Sequence, residues 1–429
     1  MIMNNTWKGW ALGFCVALLP MTATAQSESE QTGSKKTNLI GTVKKLAERT
    51  MVHGVDTNYI KTPKWPWRIS LRSRVAQTDL KMHSVIPAND IYDGEFTPDL
   101  LGVGDLATDP RFITKVSTSL GVKVGYKGLS ASYSFPIGGD KGQNLTLQGA
   151  GSWYSVNLRW RKFKTRVADT HFSGQMQERE LLGYDPATEE ATWSDWGEPQ
   201  SLSESEKVDI NSPITIKTLM FDGFYIFNRK RFSYAAAYNQ KTIQVRSAGS
   251  PIAGLMGYYA DFKYNNQLNA DMIYLMNGVG RLRQYQLSIG AGYAYNFVPA
   301  KGWLISAMAM PMVTLVNRTR VNKYESNAKD VAYSHYMDGV EIDEEGNVSY
   351  NEEAANVDYS NEYVMTSKGV QSNNNRIALN FDVRLSITYN WDRYFINANG
   401  QFNNFHYRHG STHGRLNDWY INASVGMRL

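Results

Sequence analysis

The amino-acid sequence predicts an all-β fold, a transmembrane antiparallel β-barrel with an even strand number (12–14) and a short N-terminal amphipathic helix. Three observations predict it: strands with one apolar face, aromatic residues beside tight turns, and the distribution of turn lengths. Between Ile377 and Trp391 every second residue is apolar, and the residues between them are polar or small. Because side chains alternate between the faces of a strand, one face suits hydrocarbon and the other a polar interior.

Aromatic residues surround the turn that follows this strand. Tyr389 and Trp391 precede the turn at Asp392, and Tyr394 opens the return strand. Their rings are apolar, whereas their O–H and N–H groups need polar partners, which is typical of the interfacial girdle of a membrane barrel. Alternation alone would also fit a soluble sheet, so the aromatic residues and the recurrence of the pattern favour the membrane.

Turn lengths give an independent indication. The same alternation recurs along the chain, in segments 67–74, 115–126, 129–136, 144–150, 154–161, 214–227, 284–297 and 419–429. Barrels of this kind have short periplasmic turns and longer outer loops. The tight turns at Lys127, Gly151, Arg229, Lys301 and Asp392 are therefore predicted to be periplasmic. The connections 81–112, 165–213 and 322–375 are predicted to be large outer loops, the last two acidic.

The strand number depends on the segment between Arg229 and Lys301. Strands at 232–246, with a bulge near Gln240, and at 252–264, 268–276 and 284–297 give about 14 in total. If Ser247 to Ser250 is only a bend within one strand, about 12 remain. The sequence leaves both values open.

The chain is predicted to have three parts: a signal peptide (1–25), a periplasmic arm with the short helix between Leu39 and Met51 (26–65), and the barrel (66–429). The only cysteine, Cys15, lies in the signal peptide, so neither disulfides nor thiolate metal sites are expected. A formal net charge of +5 over 429 residues argues against a nucleic-acid partner. No cofactor is predicted.

Strand parity directs a set of charged side chains into the lumen. The candidate lumen-lining residues are Arg68, Arg72, Arg74, Lys115, Lys123, Arg159, Arg161, Asp222, Asp382 and Arg384, with Asp261 as a further acid. In one hypothesis they form a bonded network, for instance Arg384 with Asp382 or Asp222, that fills a narrow barrel. In the other, the excess of basic residues lines a pore that favours anions.

Three further groups have simpler interpretations. His406, His409 and His413, beside Ser411, could be drawn as a metal site or a lipid hydrolase, but we interpret them as a surface loop. Met308, Met310 and Met312 share one strand face, which predicts adaptable packing against a lumenal plug. The acidic outer loops are interpreted as solvated, with bridging by divalent cations as the alternative. We predict no catalytic residue, no metal site and no enzymatic activity.

Three short motifs resemble a known family. They are Asp56 to Ile60, Tyr225 to Asn228 together with Arg231 to Tyr234, and Ser247 to Ser250. The chain is similar, over about residues 50–429, to an uncharacterised family of Gram-negative outer-membrane proteins known only as a domain of unknown function. The resemblance implies a barrel in the bacterial outer membrane and transfers no catalytic residue.

Three function hypotheses follow. The first is a passive channel for small polar or anionic solutes. The second is a non-conducting structural or surface-interaction barrel, and the third is an enzyme that acts on lipids or glycans. The expected partners are outer-membrane lipids and, at the outer loops, small solutes or surface ligands. The oligomeric state stays open.

Overall fold

The structure is a computed structural model that describes residues 54–86, 100–102, 105–113, 116–138, 142–165, 170–185, 188, 190–206, 212–264, 273, 276–343, 348–351, 362, 364–375, 377–409 and 412–429. The chain divides into two units, Met1–Val43 and Lys44–Leu429, and everything below concerns the second. The predicted signal peptide, the predicted helix at 39–51 and Lys115 lie outside the described residues.

Twelve antiparallel strands form a closed ring in the described part of the chain. They are β1 (Trp67–Ile86), β2 (Ser117–Tyr126), β3 (Leu129–Gly138), β4 (Gln143–Ala150), β5 (Tyr154–Thr165), β6 (Ile214–Ile226), β7 (Ala248–Lys263), β8 (Val279–Phe297), β9 (Trp303–Ser326), β10 (Leu379–Trp391), β11 (Tyr394–His409) and β12 (Thr412–Arg428). Each strand pairs with the next, and β12 pairs with β1 from Arg68↔Arg428 to His83↔His413. The predicted barrel is confirmed, and its strand number is twelve.

The two ends of the ring differ as the turn lengths predict. Short turns join β2 to β3, β4 to β5, β8 to β9 and β10 to β11, all at the end where β1 begins. At the other end lie the long connections, in which further strands extend the sheet: Leu100–Gly102, Leu106–Thr108, Arg111–Ile113, Thr170–Glu178, Gln200–Glu206 and Met365–Asn374. Two separate hairpins, Leu181–Asp185 with Glu190–Trp193 and Val340–Ile342 with Val348–Tyr350, and the helix Ala328–Asp338 also belong to this outer end.

The outside of the ring is an apolar surface with an aromatic girdle. Leu71, Leu385 and Val425 are among the exposed side chains of its middle. At the short-turn end, Trp67 contacts Tyr126 and Trp303 contacts Tyr389, with ring centroids 4.6 and 4.8 Å apart. Such a surface is stable against hydrocarbon and not against water. No helix among the described residues is long and apolar enough to cross a membrane.

The predicted strands at 232–246 and 268–276 are not members of the ring. β6 pairs directly with β7 up to Ile226↔Ile252, and β7 pairs directly with β8 up to Lys263↔Arg281. Residues 227–247 instead fold into the lumen, with a short helix (Tyr234–Tyr238) and a two-residue strand (Ile243–Gln244) that pairs with Ile60–Lys61. Ser233 is a favourable N-cap and three alanines follow it, so local helix preference outweighs the strand-like alternation. Most of 268–276 lies outside the described residues.

A charge on the outer face distinguishes a membrane barrel from a soluble one. Leu385 on β10 and Leu182 in an outer hairpin are 59% and 58% exposed. We expect Leu385→Arg to lower the free energy of unfolding in lipid vesicles by about 2–4 kcal/mol, because the charge would enter hydrocarbon. The matched change Leu182→Arg should stay within about 0.5 kcal/mol. Urea titrations followed by tryptophan fluorescence measure both, and equal effects would contradict the membrane position.

Candidate functional site in the barrel lumen

Nine of the ten predicted lumen-lining residues lie inside the ring, and Lys115 lies outside the described residues. Those inside are Arg68, Arg72, Arg74, Lys123, Arg159, Arg161, Asp222, Asp382 and Arg384. Asp261 does not join them. It has the opposite parity to the inward Phe262 and binds Arg281, at 2.7 and 2.8 Å, near the outer end.

The segment 228–247 is the plug that closes the short-turn end of the lumen. The Ser233 side chain caps its helix, accepting from Ala236 N, and bonds to the Thr242 hydroxyl at 2.7 Å. The Gln244 side-chain amide ties the ends of the plug together by donating to Arg231 O at 2.6 Å and accepting from Ser233 N at 3.0 Å. The plug is therefore an ordered insert with its own internal hydrogen bonds.

Basic side chains of the wall hold the plug through its carbonyl oxygens and one side-chain amide. Lys123 Nζ donates to Tyr238 O at 3.3 Å, and Arg428 Nε donates to Gln240 O at 3.2 Å. Arg68 Nη2 donates to Asn239 Oδ1 at 2.8 Å. Carbonyls at a helix C-terminus carry partial negative charge and have no partner within the helix. They therefore serve as acceptors for cations that have no acid nearby.

Two polar residues of the wall also bond to the plug, and a lysine of the plug has a lowered pKa. Ser386 Oγ and Asn397 Nδ2 both donate to Ala237 O, at 2.8 and 3.1 Å. Within the plug, burial and then the charges of Arg68 and Lys127 lower the pKa of Lys241 to about 7. At neutral pH the plug thus carries less positive charge toward this basic wall than its sequence suggests.

Arg384 is the centre of a buried ion network that joins wall and plug. Its guanidinium lies 2.8 Å from Asp382 Oδ2 and 3.2 Å from Asp222 Oδ2, on strands that are not neighbours in the ring. Arg384 Nη1 also donates to the Tyr234 hydroxyl of the plug at 2.7 Å. Gln401 Nε2 donates to Asp382 Oδ1 at 3.1 Å. The network predicted from the sequence is present, with both acids bound to the one arginine.

A second network has the opposite balance of charge. Asp418 binds Arg161, lies 3.4 Å from Arg159 Nη2, and accepts from the Thr78 hydroxyl at 3.1 Å. The Tyr420 ring lies between two guanidinium groups, with Arg74 Cζ at 4.0 Å and Arg159 Cζ at 4.8 Å from its centroid. One carboxylate and one ring therefore serve three arginines.

A lumenal cavity of about 50 Å³ separates the two networks. Its polar lining includes Arg72, Arg74, Arg159, Asp222 and Gln401. Arg74 is only 2% exposed, and its Nε and Nη2 have no hydrogen-bond acceptor among the described residues. A water needs about 10–15 Å³, so the cavity has room for a few waters or one small anion.

An apolar layer closes the lumen on the outer side of these networks. Tyr258 of β7 stacks on Phe405 of β11 with ring centroids 4.0 Å apart, although these strands are not neighbours in the ring. The Tyr264 hydroxyl reaches Met82 Sδ at 3.9 Å, and Met276 is fully buried in the same cluster. Side chains thus meet across the barrel at this level.

The methionines and histidines take different places. Met308, Met310 and Met312 are buried in the cluster that also contains Tyr234 of the plug, in agreement with the packing predicted for them. Ser411 lies outside the described residues, and the His413 ring lies 4.6 Å from that of His83. The described part of the chain holds no group of three or more potential metal ligands among its His, Cys, Asp and Glu residues.

Sequence reasoning missed Asp418, Tyr420 and Arg428 as lumenal residues. Arg428 has the inward parity of the last strand, so continuing the alternation would have found it. Tyr420 lies within the predicted strand 419–429 and has the same parity as Arg428, so the alternation would have found it too. Asp418 precedes the predicted strand, because β12 begins seven residues earlier, at Thr412. The contact of His83 Nδ1 with Asp109 Oδ1, at 2.7 Å, had no signal in the sequence, because His83 lies on β1 and Asp109 lies in the connection that follows it.

The closed ring, the apolar outer face and the polar lumen define an outer-membrane type of β-barrel. A family described as a domain of unknown function, DUF4421, matches residues 55–428. The chain belongs to this family. No curated protein matches the sequence significantly.

Several solved barrels are similar to this chain. The translocator domain of the autotransporter NalP from Neisseria meningitidis shares 10% identity, covering 91% of this chain and 95% of that one, with a TM-score of 0.26. The outer-membrane protease OmpT from Escherichia coli shares 8%, covering 86% and 98%, with a TM-score of 0.25. The toluene transporter TodX from P. putida shares 8%, covering 86% and 91%, with a TM-score of 0.24. Similarities at this level carry no information about function.

Removing Arg384 should be more damaging than removing its whole network. In Arg384→Gln, Asp222 and Asp382 stay buried without a cation, and we expect a loss of about 3–5 kcal/mol in the free energy of unfolding. The triple variant Arg384→Gln, Asp222→Asn, Asp382→Asn is the matched control and should lose clearly less. Urea unfolding in lipid vesicles measures both, and a triple variant as unstable as the single one would contradict the ion network.

Proposed function

We propose that this protein is a plugged barrel of the bacterial outer membrane that forms no open pore and acts through the strands and loops at its outer end. The proposal rests on one observation, which is that parts of the protein itself close the lumen at two levels. The plug closes the short-turn end, and the layer that contains Tyr258 and Phe405 closes the outer end.

The contacts of the plug support a fixed insert rather than a gate. Tyr234, Ala235, Ala236 and Ala237 are buried, and the wall donates to three successive plug residues at Ala237 O, Tyr238 O and Asn239 Oδ1. The segment before the ring adds to them, because Val245 N donates to Tyr59 O at 2.8 Å. Displacing the plug would remove one hydrogen-bond acceptor from each of Arg68, Lys123 and Arg428, which is costly for buried cations.

A passive channel for small anions is the second candidate. The observation that favours it is the basic lining of the cavity, where Arg72 and Arg74 outnumber the acids that face them. Conduction would require both closures to move, so this candidate needs a second conformation. As a third proposal, we expect no enzymatic activity, since our interpretation assigns structural roles to the lumenal polar residues.

Conductance in planar bilayers separates the first two candidates. We expect the wild-type barrel to give no channel current, because the lumen is occupied at two levels. A variant with residues 229–246 replaced by Gly-Ser-Gly and with Tyr258→Ala and Phe405→Ala should conduct. This variant removes both closures and leaves the backbone of the twelve strands in place, and it serves as the positive control for insertion once the heat-dependent shift of the folded band on gels shows that it folds. Anion-selective current from the wild type would contradict the proposal and support the channel.

Cysteine labelling in whole cells tests the location and the orientation. Cys15 is the only cysteine and lies in the predicted signal peptide, so single cysteines can be introduced without background. We expect Ser203→Cys, in an outer strand, to react with a membrane-impermeant maleimide on intact cells. The control Arg393→Cys, in the turn between β10 and β11, should react only after lysis. The reverse pattern would place the outer strands in the periplasm.

A further inference from the structure

The lipid-facing side of β5 to β9 carries a block of basic residues at its outer end. Directly paired residues form two rows across these five strands. The first row is Lys162, Lys217, Asp261, Arg283 and Arg320, and the second is Lys164, Thr215, Lys263, Arg281 and Asn322. The basic residues of both rows, together with Arg318, are called the basic belt.

The belt points away from the lumen. Its residues alternate with Phe163, Ile216, Phe262 and Thr319, whose side chains are buried on the inner face. The four lysines and Arg318 are exposed, and the other three arginines are half-buried. These charges therefore face whatever surrounds the barrel.

The belt lies at the border of the apolar surface that faces the outer end of the barrel. The next outward row toward the short-turn end consists of Trp160, Leu219, Tyr259, Tyr285 and Arg318, which are also paired directly. The rings of Tyr259 and Tyr285 are 5.0 Å apart. Two residues along a strand span about 7 Å. The belt thus begins within one headgroup layer of the hydrocarbon border, where tyrosine and tryptophan are typical.

Among the described residues, few acids balance the charges of the belt. It has eight basic residues, and Asp261, bound to Arg281, is the one acid in its two rows. Lys217 lies directly opposite Lys162, and Arg283 lies directly opposite Arg320. Like charges directly opposite each other destabilise a sheet. Arg283 Nη2 donates to Asn322 Oδ1 at 2.9 Å and Arg318 Nη2 donates to Ser372 Oγ at 3.2 Å, so these two guanidinium groups have neutral partners and not acids.

We infer that the basic belt binds phosphate groups of acylated lipids in the outer leaflet, with the acyl chains against the apolar face below. The inference rests on the proposed location. Guanidinium groups bind phosphate oxygens in a bidentate manner, and lysines attract them as point charges. A phosphate between Lys162 and Lys217 turns their repulsion into a shared attraction. An acidic protein segment would satisfy the charges but would not use the hydrocarbon border beside them.

Lipid binding by the full-length mature barrel in detergent tests the inference. The probes are lipid A with two phosphates, monophosphoryl lipid A, and inorganic phosphate at the same concentration. The belt variant is Lys162→Gln, Lys217→Gln, Lys263→Gln. Its matched control removes three exposed charges at the opposite end, Arg229→Gln, Lys301→Gln, Arg393→Gln. The heat-dependent shift of the folded band on gels shows that each variant folds.

We expect lipid A to raise the unfolding temperature of the wild type and the control by several degrees. The belt variant should bind it at least tenfold more weakly. Monophosphoryl lipid A should bind the wild type more weakly, and inorganic phosphate should cause no shift because it lacks acyl chains. Equal lipid A binding by belt variant and control, or binding of polyglutamate in place of lipid, would overturn the inference. If the proposed outer-membrane location is wrong, the labelling of cells shows it. Lipid A binding in detergent does not depend on the location, because it needs no membrane.

Discussion

The structure depends on hydrogen bonds from buried wall cations to the plug. Isolated charges inside a protein cost several kcal/mol each unless they are paired or well hydrogen-bonded. No acid partner of Arg68, Lys123 or Arg428 is found among the described residues, and each donates a hydrogen bond to an oxygen of the plug. Each also donates to an oxygen of the ring, at Lys127 O, Gln148 Oε1 and Asn390 Oδ1. The wall and the plug are therefore joined, because the same buried cations bond to both.

The three motifs that carry the family resemblance meet at this unit. Ile60 of the first motif pairs with Gln244 of the plug, and the backbone N–H of Asp56 donates to Lys230 O at 2.8 Å. Asn228 of the second motif donates from its side chain to Gly249 O of the third at 2.8 Å. Segments far apart in the sequence thus form the closure at the short-turn end. The residues of these three motifs therefore help to fill the lumen at this end.

Much of the ring could be predicted from the sequence, because strand parity and turn length are local properties. The segment from Ile377 to Tyr394 shows both in one hairpin, and the structure confirms it. The plug could not be predicted in the same way. Phe232, Tyr234 and Tyr238 alternate with small residues as in a strand, and the plug that contains them is held in part by Arg384 and Ser386, about 150 residues later in the chain. The same holds for Asp418, whose partners on β5 are distant in the chain.

The sequence predicted which charged side chains point into the lumen, but it did not predict how many acids lie beside each basic residue. Arg384 was expected to bind Asp382 or Asp222 and binds both, which leaves Arg72 and Arg74 with fewer acids than parity suggested. Cation–π contact with Tyr420 and carbonyl acceptors then take the role of carboxylates. Neither type of partner has a sequence pattern, since each depends on the packing of several strands.

The seam between the first and last strands has a consequence for assembly. Arg68 on β1 and Arg428 on β12 are direct neighbours across this seam, and each holds the insert between β6 and β7. The first and last strands of the ring are thus both attached to a piece supplied by the middle of the chain. The seam that closes the cylinder and the insert that fills its interior therefore depend on the same two arginines.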